Sequence, residues 1–263
     1  MDLGFSGKVA VVTGGTSGIG FATASVLLAE GADVAICGRN AERLSNAHQH
    51  LAERHGNTSV LACRCDVLDA AEIDGFATEL DAWRGRVDLL VNNAGEGRLS
   101  TFADTTDDAW RTELDLKIMS QVRPIRAFRT LFDMSDAPAI IIVNSLLALQ
   151  PEPHMVCTSA ARAAVQNLAK SLSIELAPRV RVNSILIGLV DSGQWQRRFE
   201  QRQDTDQTRA QWFAALARSK NIPLQRVGEP AEVARAIAFL GSPAASYITG
   251  SALEISGGIS RFI

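Results

Sequence analysis

The sequence predicts an α/β protein: one domain over residues 1–263, a doubly wound, seven-stranded parallel sheet with helices on both faces. Three observations lead there. Strand-like and helix-like stretches alternate along all 263 residues, a pattern that right-handed crossovers turn into a parallel sheet covered on both sides. A glycine-rich turn follows directly on the first apolar run, Val9-Ala10-Val11-Val12. A hydrophobic content of 46% supplies a sizeable core for a chain of this length.

The elements follow in order. Short apolar runs read as buried strands at 9–13, 33–37, 60–64, 87–91, 139–144, 180–187 and 251–255. Longer stretches between them read as helices at 19–30, 41–55, 70–83, 106–132, 156–176 and 230–240. No linker, repeat or low-complexity segment divides them.

After the first strand comes Thr13-Gly14-Gly15-Thr16-Ser17-Gly18-Ile19-Gly20, with Gly14, Gly18 and Gly20 as the spaced set. Glycines let the backbone turn sharply and approach a ligand closely. The helix that starts near Ser17 or Gly18 directs free N–H groups and a positive dipole end into the turn, where a pyrophosphate fits. At the end of the second strand stands Gly38-Arg39-Asn40, where a ribose-reading side chain is expected. No acidic residue is there, and Arg39 offers a planar cation suited to a 2′-phosphate. NADP(H) is therefore expected over NAD(H).

With these residues in view, the chain resembles the short-chain dehydrogenase/reductase family over nearly its whole length. Matching segments are 13–20, Cys65-Asp66-Val67, Asn92-Asn93-Ala94-Gly95, Arg181-Val182-Asn183-Ser184, Arg226-Val227-Gly228-Glu229-Pro230, and Ile248-Thr249-Gly250 through Gly257-Gly258. The resemblance implies a Rossmann sheet of seven strands. It places Asp66 and Val67 over the adenine, and Asn92, Ala94 and Gly95 along the cofactor. By the same resemblance Thr16, Ser17, Ile19 and Gly188 join the cofactor set. It also implies a homodimer or homotetramer, with Ala160, Ala161, Ala163 and Ala164 on a helix of the kind that packs between subunits.

The chemistry departs from that family. Its usual apparatus is a serine, a tyrosine thirteen residues later, a lysine four after that, and an asparagine from the preceding helix. Here those positions hold Ser145, Thr158, Arg162 and Lys117, and the single tyrosine, Tyr247, lies near the C-terminus. A threonine hydroxyl is too weakly acidic to replace a phenol as general acid. Arg162 can still hold ribose hydroxyls with its fork of donors, but it does not release a proton. One rearrangement restores chemistry: Lys117 points into the cavity beside Arg162, loses basicity there and exchanges protons. Ser145 then orients the substrate oxygen with Thr158 as its partner. His154 is a further titratable candidate.

Substrate contacts are expected from a lid insertion at about 193–222, with Trp195, Phe199, Trp212 and Phe213 for an apolar group and Arg197, Arg198, Arg202 and Arg209 for an anion. The reading is thus an NADP(H)-dependent oxidoreductase acting on a small carbonyl or alcohol. An isomerase, dehydratase or lyase, or a silent nucleotide-binding protein, could share the scaffold. A net charge of −3 argues against nucleic acid or anionic membrane as partner. No run is apolar enough to span a bilayer, and the first residues do not read as a signal peptide. Cys37, Cys63, Cys65 and Cys157 suit buried thiols in a cytoplasmic protein rather than a disulfide framework. Three of four histidines crowd into 48–55, so no metal is expected.

Overall fold

The computed structural model describes residues 2–202 and 206–262. Seven strands form one sheet: β1 (Val9–Thr13), β2 (Asp33–Gly38), β3 (Val60–Arg64), β4 (Leu89–Asn92), β5 (Ala139–Ser145), β6 (Arg181–Ile187) and β7 (Ala252–Ile255). All neighbours pair in parallel, in the order β3-β2-β1-β4-β5-β6-β7. The fold class expected from the sequence is the one observed.

Helices α1 (Gly18–Ala29), α2 (Ala41–His55) and α3 (Ala70–Arg84) return the chain between the first four strands. Then come α4 (Asp107–Leu114), α5 (Ser120–Ala127), α6 (Arg129–Phe132) and α7 (Val156–Glu175), with α8 (Gly193–Glu200), α9 (Arg209–Ser219) and α10 (Pro230–Gly241) near the end. Strands buried on both faces need apolar residues at every position, and β1 and most of β5 are buried throughout. Two clusters result, one on each side of the sheet. Leu27, Ile36, Ile141 and Ile237 belong to the first, and Phe76, Leu90, Phe128 and Val165 to the second.

Helix ends follow local chemistry. The Asn40 side chain accepts from Arg43 N at the start of α2, Asp69 accepts from Ala71 and Glu72 N at α3, and Thr106 accepts from Ala109 N at α4. The stretch 106–132, expected as one helix, is broken. Asp115–Met119 widens into a π turn between α4 and α5, and α5 ends at Ala127 with Phe128 leading into α6. Pro124 lies inside α5 and has no N–H to return to the carbonyl four residues back, which is one reason a single regular helix does not run through. The four cysteines are buried free thiols.

The strand order reverses between β1 and β4, and open α/β sheets bind ligands at the carboxyl ends of the strands at such a switch point. Thr13 and Asn93 lock it. Thr13 Oγ1 accepts from Asn93 N and Ala94 N, both at 3.0 Å, and the Asn93 amide donates to Thr13 O at 3.0 Å and Gly14 O at 3.2 Å. Among the described residues no helix is long and apolar enough to cross a membrane.

Candidate active site

A cavity of about 340 Å³ opens at the switch point. Gly14, Thr16, Ser17, Gly18 and Ile19 line one wall of it. Gly14 has φ +65°, and a Cβ there would press to 3.0 Å on Ala94 Cα, so only glycine turns the chain this way. Arg39, Asp66, Val67, Ala94 and Gly95 also line the cavity.

Three residues expected at the cofactor stand behind the wall instead. Gly20 faces Gly14, and a Cβ there would come within 2.3 Å of Gly14 O, so its role is to let α1 pack on the turn. Asn92 is fully buried and donates to Gln121 O at 3.2 Å, tying β4 to α5. Gly188 packs on Ser256. Arg43 was missed. It is brought beside Arg39 and Asn40 on the cavity wall by the first turn of α2. The signal was its spacing, four residues after Arg39 at a capped helix start.

The opposite wall carries the charged chemistry. Arg162, on α7, lines the cavity. Its Nη1 donates to Val143 O at 3.0 Å, while its Nε is sealed from solvent without a protein partner. Burial pulls the guanidinium down to about 10, the range of an ordinary phenol. Lys117 lies in the π turn and is buried, with Nζ 2.9 Å from Glu113 Oε1 and donating to Glu96 O at 2.5 Å. Desolvation and then the charge of Arg162 lower the Lys117 pKa, while Glu113 opposes them.

Thr158 donates to the same Glu113 Oε1 at 2.5 Å and accepts from Arg98 N at 3.2 Å. Lys117 therefore lies within charge range of Arg162 and bonds to Glu113 rather than lining the cavity. The expected Ser145–Thr158 pair is not formed among the described residues. Ser145 Oγ accepts from Leu147 N at 3.2 Å and caps the short turn after β5. Glu113, the hub of the network, was missed, although an acid four residues before Lys117 on a helix was its signal. π turns recur at functional sites.

The insertion at 193–222 folds as α8 and α9, and residues 203–205 of it lie outside the described residues. Trp212 gathers Trp195, Phe199 and Phe213 around it, with centroids 5.2–6.0 Å away. The arginines expected to meet an anion are largely turned onto the protein itself. Arg209 grips both oxygens of Asp191 at 2.5 Å, Arg198 lies over Trp195, and Arg202 lies over Phe199. Arg197 alone of these four lines the cavity. His154, exposed, sits 3.0 Å from Glu152 outside the network.

This donor set fits a nicotinamide dinucleotide. The start of α1 and a turn with no room for side chains suit a diphosphate, Arg39 and Arg43 supply cations suited to a phosphorylated ribose, and Arg162 lines the cavity from α7. Fold and cavity define a nucleotide-binding enzyme of the Rossmann type. A family profile described as enoyl-(acyl carrier protein) reductase matches residues 14–260. A 3-oxoacyl-[acyl-carrier-protein] reductase of Chlamydia muridarum is 31% identical over 96% of this chain and 97% of its own.

Among solved structures, a short chain oxidoreductase of Pseudomonas aeruginosa PAO1, described as containing an atypical catalytic center and bound to NADPH, is 56% identical. It matches with a TM-score of 0.92 over 97% of this chain and 98% of its own. The L-sorbose reductase of Gluconobacter frateurii, complexed with NADPH and L-sorbose, is 32% identical with a TM-score of 0.94 over 100% of both chains. The chain belongs to the short-chain dehydrogenase/reductase family and is an oxidoreductase that uses a pyridine nucleotide.

Proposed function

We propose that this chain is an NADP(H)-dependent oxidoreductase of small carbonyl or alcohol substrates, with Arg162, Lys117, Glu113 and Thr158 in place of the family's tyrosine and lysine. The observation that carries the reading is one carboxylate oxygen, Glu113 Oε1, shared at 2.9 Å by Lys117 and at 2.5 Å by Thr158, behind the only one of the four that lines the cavity, Arg162. NADPH is supported over NADH by Arg39 and Arg43, and by the NADPH bound in the Pseudomonas and Gluconobacter relatives.

When bound, the nicotinamide supplies a hydride. Arg162 presents its positive charge to the substrate oxygen and stabilises the alkoxide as it develops. The proton that the alkoxide takes comes from Lys117, whose basicity burial and the charge of Arg162 lower. Glu113 holds compensating charge behind Lys117, and Thr158 fixes the Glu113 carboxylate. Ser145 stays a structural cap. Gly95 lies next to the guanidinium, where a Cβ would stand 3.9 Å from Arg162 Nη2, an ordinary contact. The chain is expected to assemble as a homodimer or homotetramer, supported by exposed Ala160 and Ala163 on α7 and by exposed Leu253 on the edge strand β7.

A second reading draws on the same network. Lys117 and Thr158 commit their polar atoms to protein partners, which suits a nucleotide-binding protein without turnover. Hydride transfer from 4-deuterated NADPH to a panel of ketones separates the two. Reduction should fall as pH rises through a value below the ordinary lysine range, because Lys117 must be protonated to act as donor. Arg162→Gln should move that limb to higher pH, because the charge that lowers Lys117 is gone, and lower kcat ~10²–10³-fold. Saturable NADPH binding with no deuterium transfer to any ketone would select the second reading.

A further inference from the structure

We propose that Arg197 is a diphosphate-binding residue held in waiting: it pairs with Glu96 in the free protein and transfers to the diphosphate of NADP(H) when the cofactor enters. The proposal rests on the reading that the cavity takes this nucleotide. Arg197, on the second turn of α8, and Glu96, on the loop after β4, both line that cavity. Arg197 Nη2 stands 3.8 Å from Glu96 Oε2, and the two side chains are 47% and 60% exposed. That is beyond hydrogen-bond length and solvated on both sides, the kind of pair that contributes little.

Position makes the exchange possible. A methyl-sized group on Gly193 would touch Arg197 Nη1 at 3.7 Å and Ser17 Oγ at 3.8 Å, and one on Gly18 would touch Ser192 Cβ at 3.6 Å. The start of α8 thus abuts the glycine turn, and the Arg197 guanidinium and the Ser17 hydroxyl both lie next to Gly193. A planar guanidinium makes shorter, paired, charge-assisted bonds to phosphate oxygens. A diphosphate seated on the turn therefore outcompetes one loosely held carboxylate. Arg198, Arg202 and Arg209 are turned toward Trp195, Phe199 and Asp191, which leaves this task to Arg197.

The test uses two substitutions of opposite sign on the full-length protein, with Kd for NADPH read by nucleotide fluorescence and α8–α9 order read by Trp195 and Trp212 emission. Arg197→Gln should weaken NADPH about 5–30-fold and blunt the tryptophan response. Glu96→Gln should tighten NADPH about 2–5-fold by removing the competitor. In the double variant the Glu96 effect should vanish. Adenosine 2′-monophosphate, which has no diphosphate, should bind wild type and Arg197→Gln alike. Unchanged NADPH affinity in Arg197→Gln, or weakening by Glu96→Gln, overturns the proposal. If wild type fails to bind NADPH at all, the functional reading beneath falls, and this proposal with it.

Discussion

The two walls of the cavity are built from different material. The cradle around β1, α1 and the end of β2 is mainly backbone: a turn at Gly14, the first amides of α1, and carbonyls held by Asn93. The catalytic wall, from α4 through the π turn to α7, is side chain: Glu113, Lys117, Thr158 and Arg162 in mutual contact or charge range. A backbone-built site depends on the path of the chain, so replacing side chains elsewhere leaves it intact. A side-chain site can exchange every member and keep its position. The contrast explains how a cofactor cradle of ordinary type coexists with an unfamiliar catalytic set.

The largest effect that would break this contrast is expected at Glu113. Glu113→Ala leaves the Lys117 ammonium buried without its carboxylate. Loss of one partner of a buried pair costs about 3–5 kcal/mol, roughly a 10 °C fall in Tm for a chain of this size. The double variant Glu113→Leu, Lys117→Met removes both charges and should recover most of that stability while remaining inactive. Thermal melts and turnover on the three proteins decide it. If the double variant melts as low as Glu113→Ala, the pair is an irreplaceable part of the fold rather than a catalytic device placed on it.

This division also sets what could be read from the residues alone. All seven strands were legible to within about two residues at each end, the inner ones because parallel strands buried on both faces must be largely apolar. The glycine turn was legible because backbone geometry restricts residue choice there. The break within 106–132 was not, since a π turn obeys no simple periodicity and is set by what Lys117 and Glu113 bury against. For the same reason Lys117 could be placed on the right helix but not given its partner. Glu113 reads as a surface residue until the fold brings Thr158, 45 positions away, against it. Asn92 and Gly188, placed by family position, have packing contacts in the structure that the residues alone do not show.

A mid-sized effect should sharpen the contrast from the cradle side. Replacing Arg39 and Arg43 by Ala removes the two cations at the adenosine end of the cavity. A lost charge-assisted phosphate bond of about 1.5–3 kcal/mol corresponds to roughly 10–100-fold weaker NADPH binding, with NADH binding unchanged. Paired titrations with the two nucleotides read the difference. Equal weakening of both would mean that the arginines act on the cradle as a whole, and the preference for the 2′-phosphate would need another source.

The smallest effect is expected in the insertion, which borders both walls. Asp191, just beyond β6, holds Arg209 of α9 through both carboxylate oxygens, and Arg209 also donates to Gln196 of α8 at 2.8 Å. The Asp191 and Arg209 side chains are 27% and 42% exposed, so water competes for the pair and its contribution should be about 0–1 kcal/mol. Asp191→Asn should therefore shift Trp195 and Trp212 emission as α9 loosens, raise the KM of a ketone less than about fivefold, and leave kcat alone. The aromatic contacts among Trp195, Phe199, Trp212 and Phe213 hold the two helices together without the ion pair. A kcat loss comparable to that of Arg162→Gln would show the opposite: that the insertion positions the catalytic wall, and that the two-wall division is really one of three coupled parts.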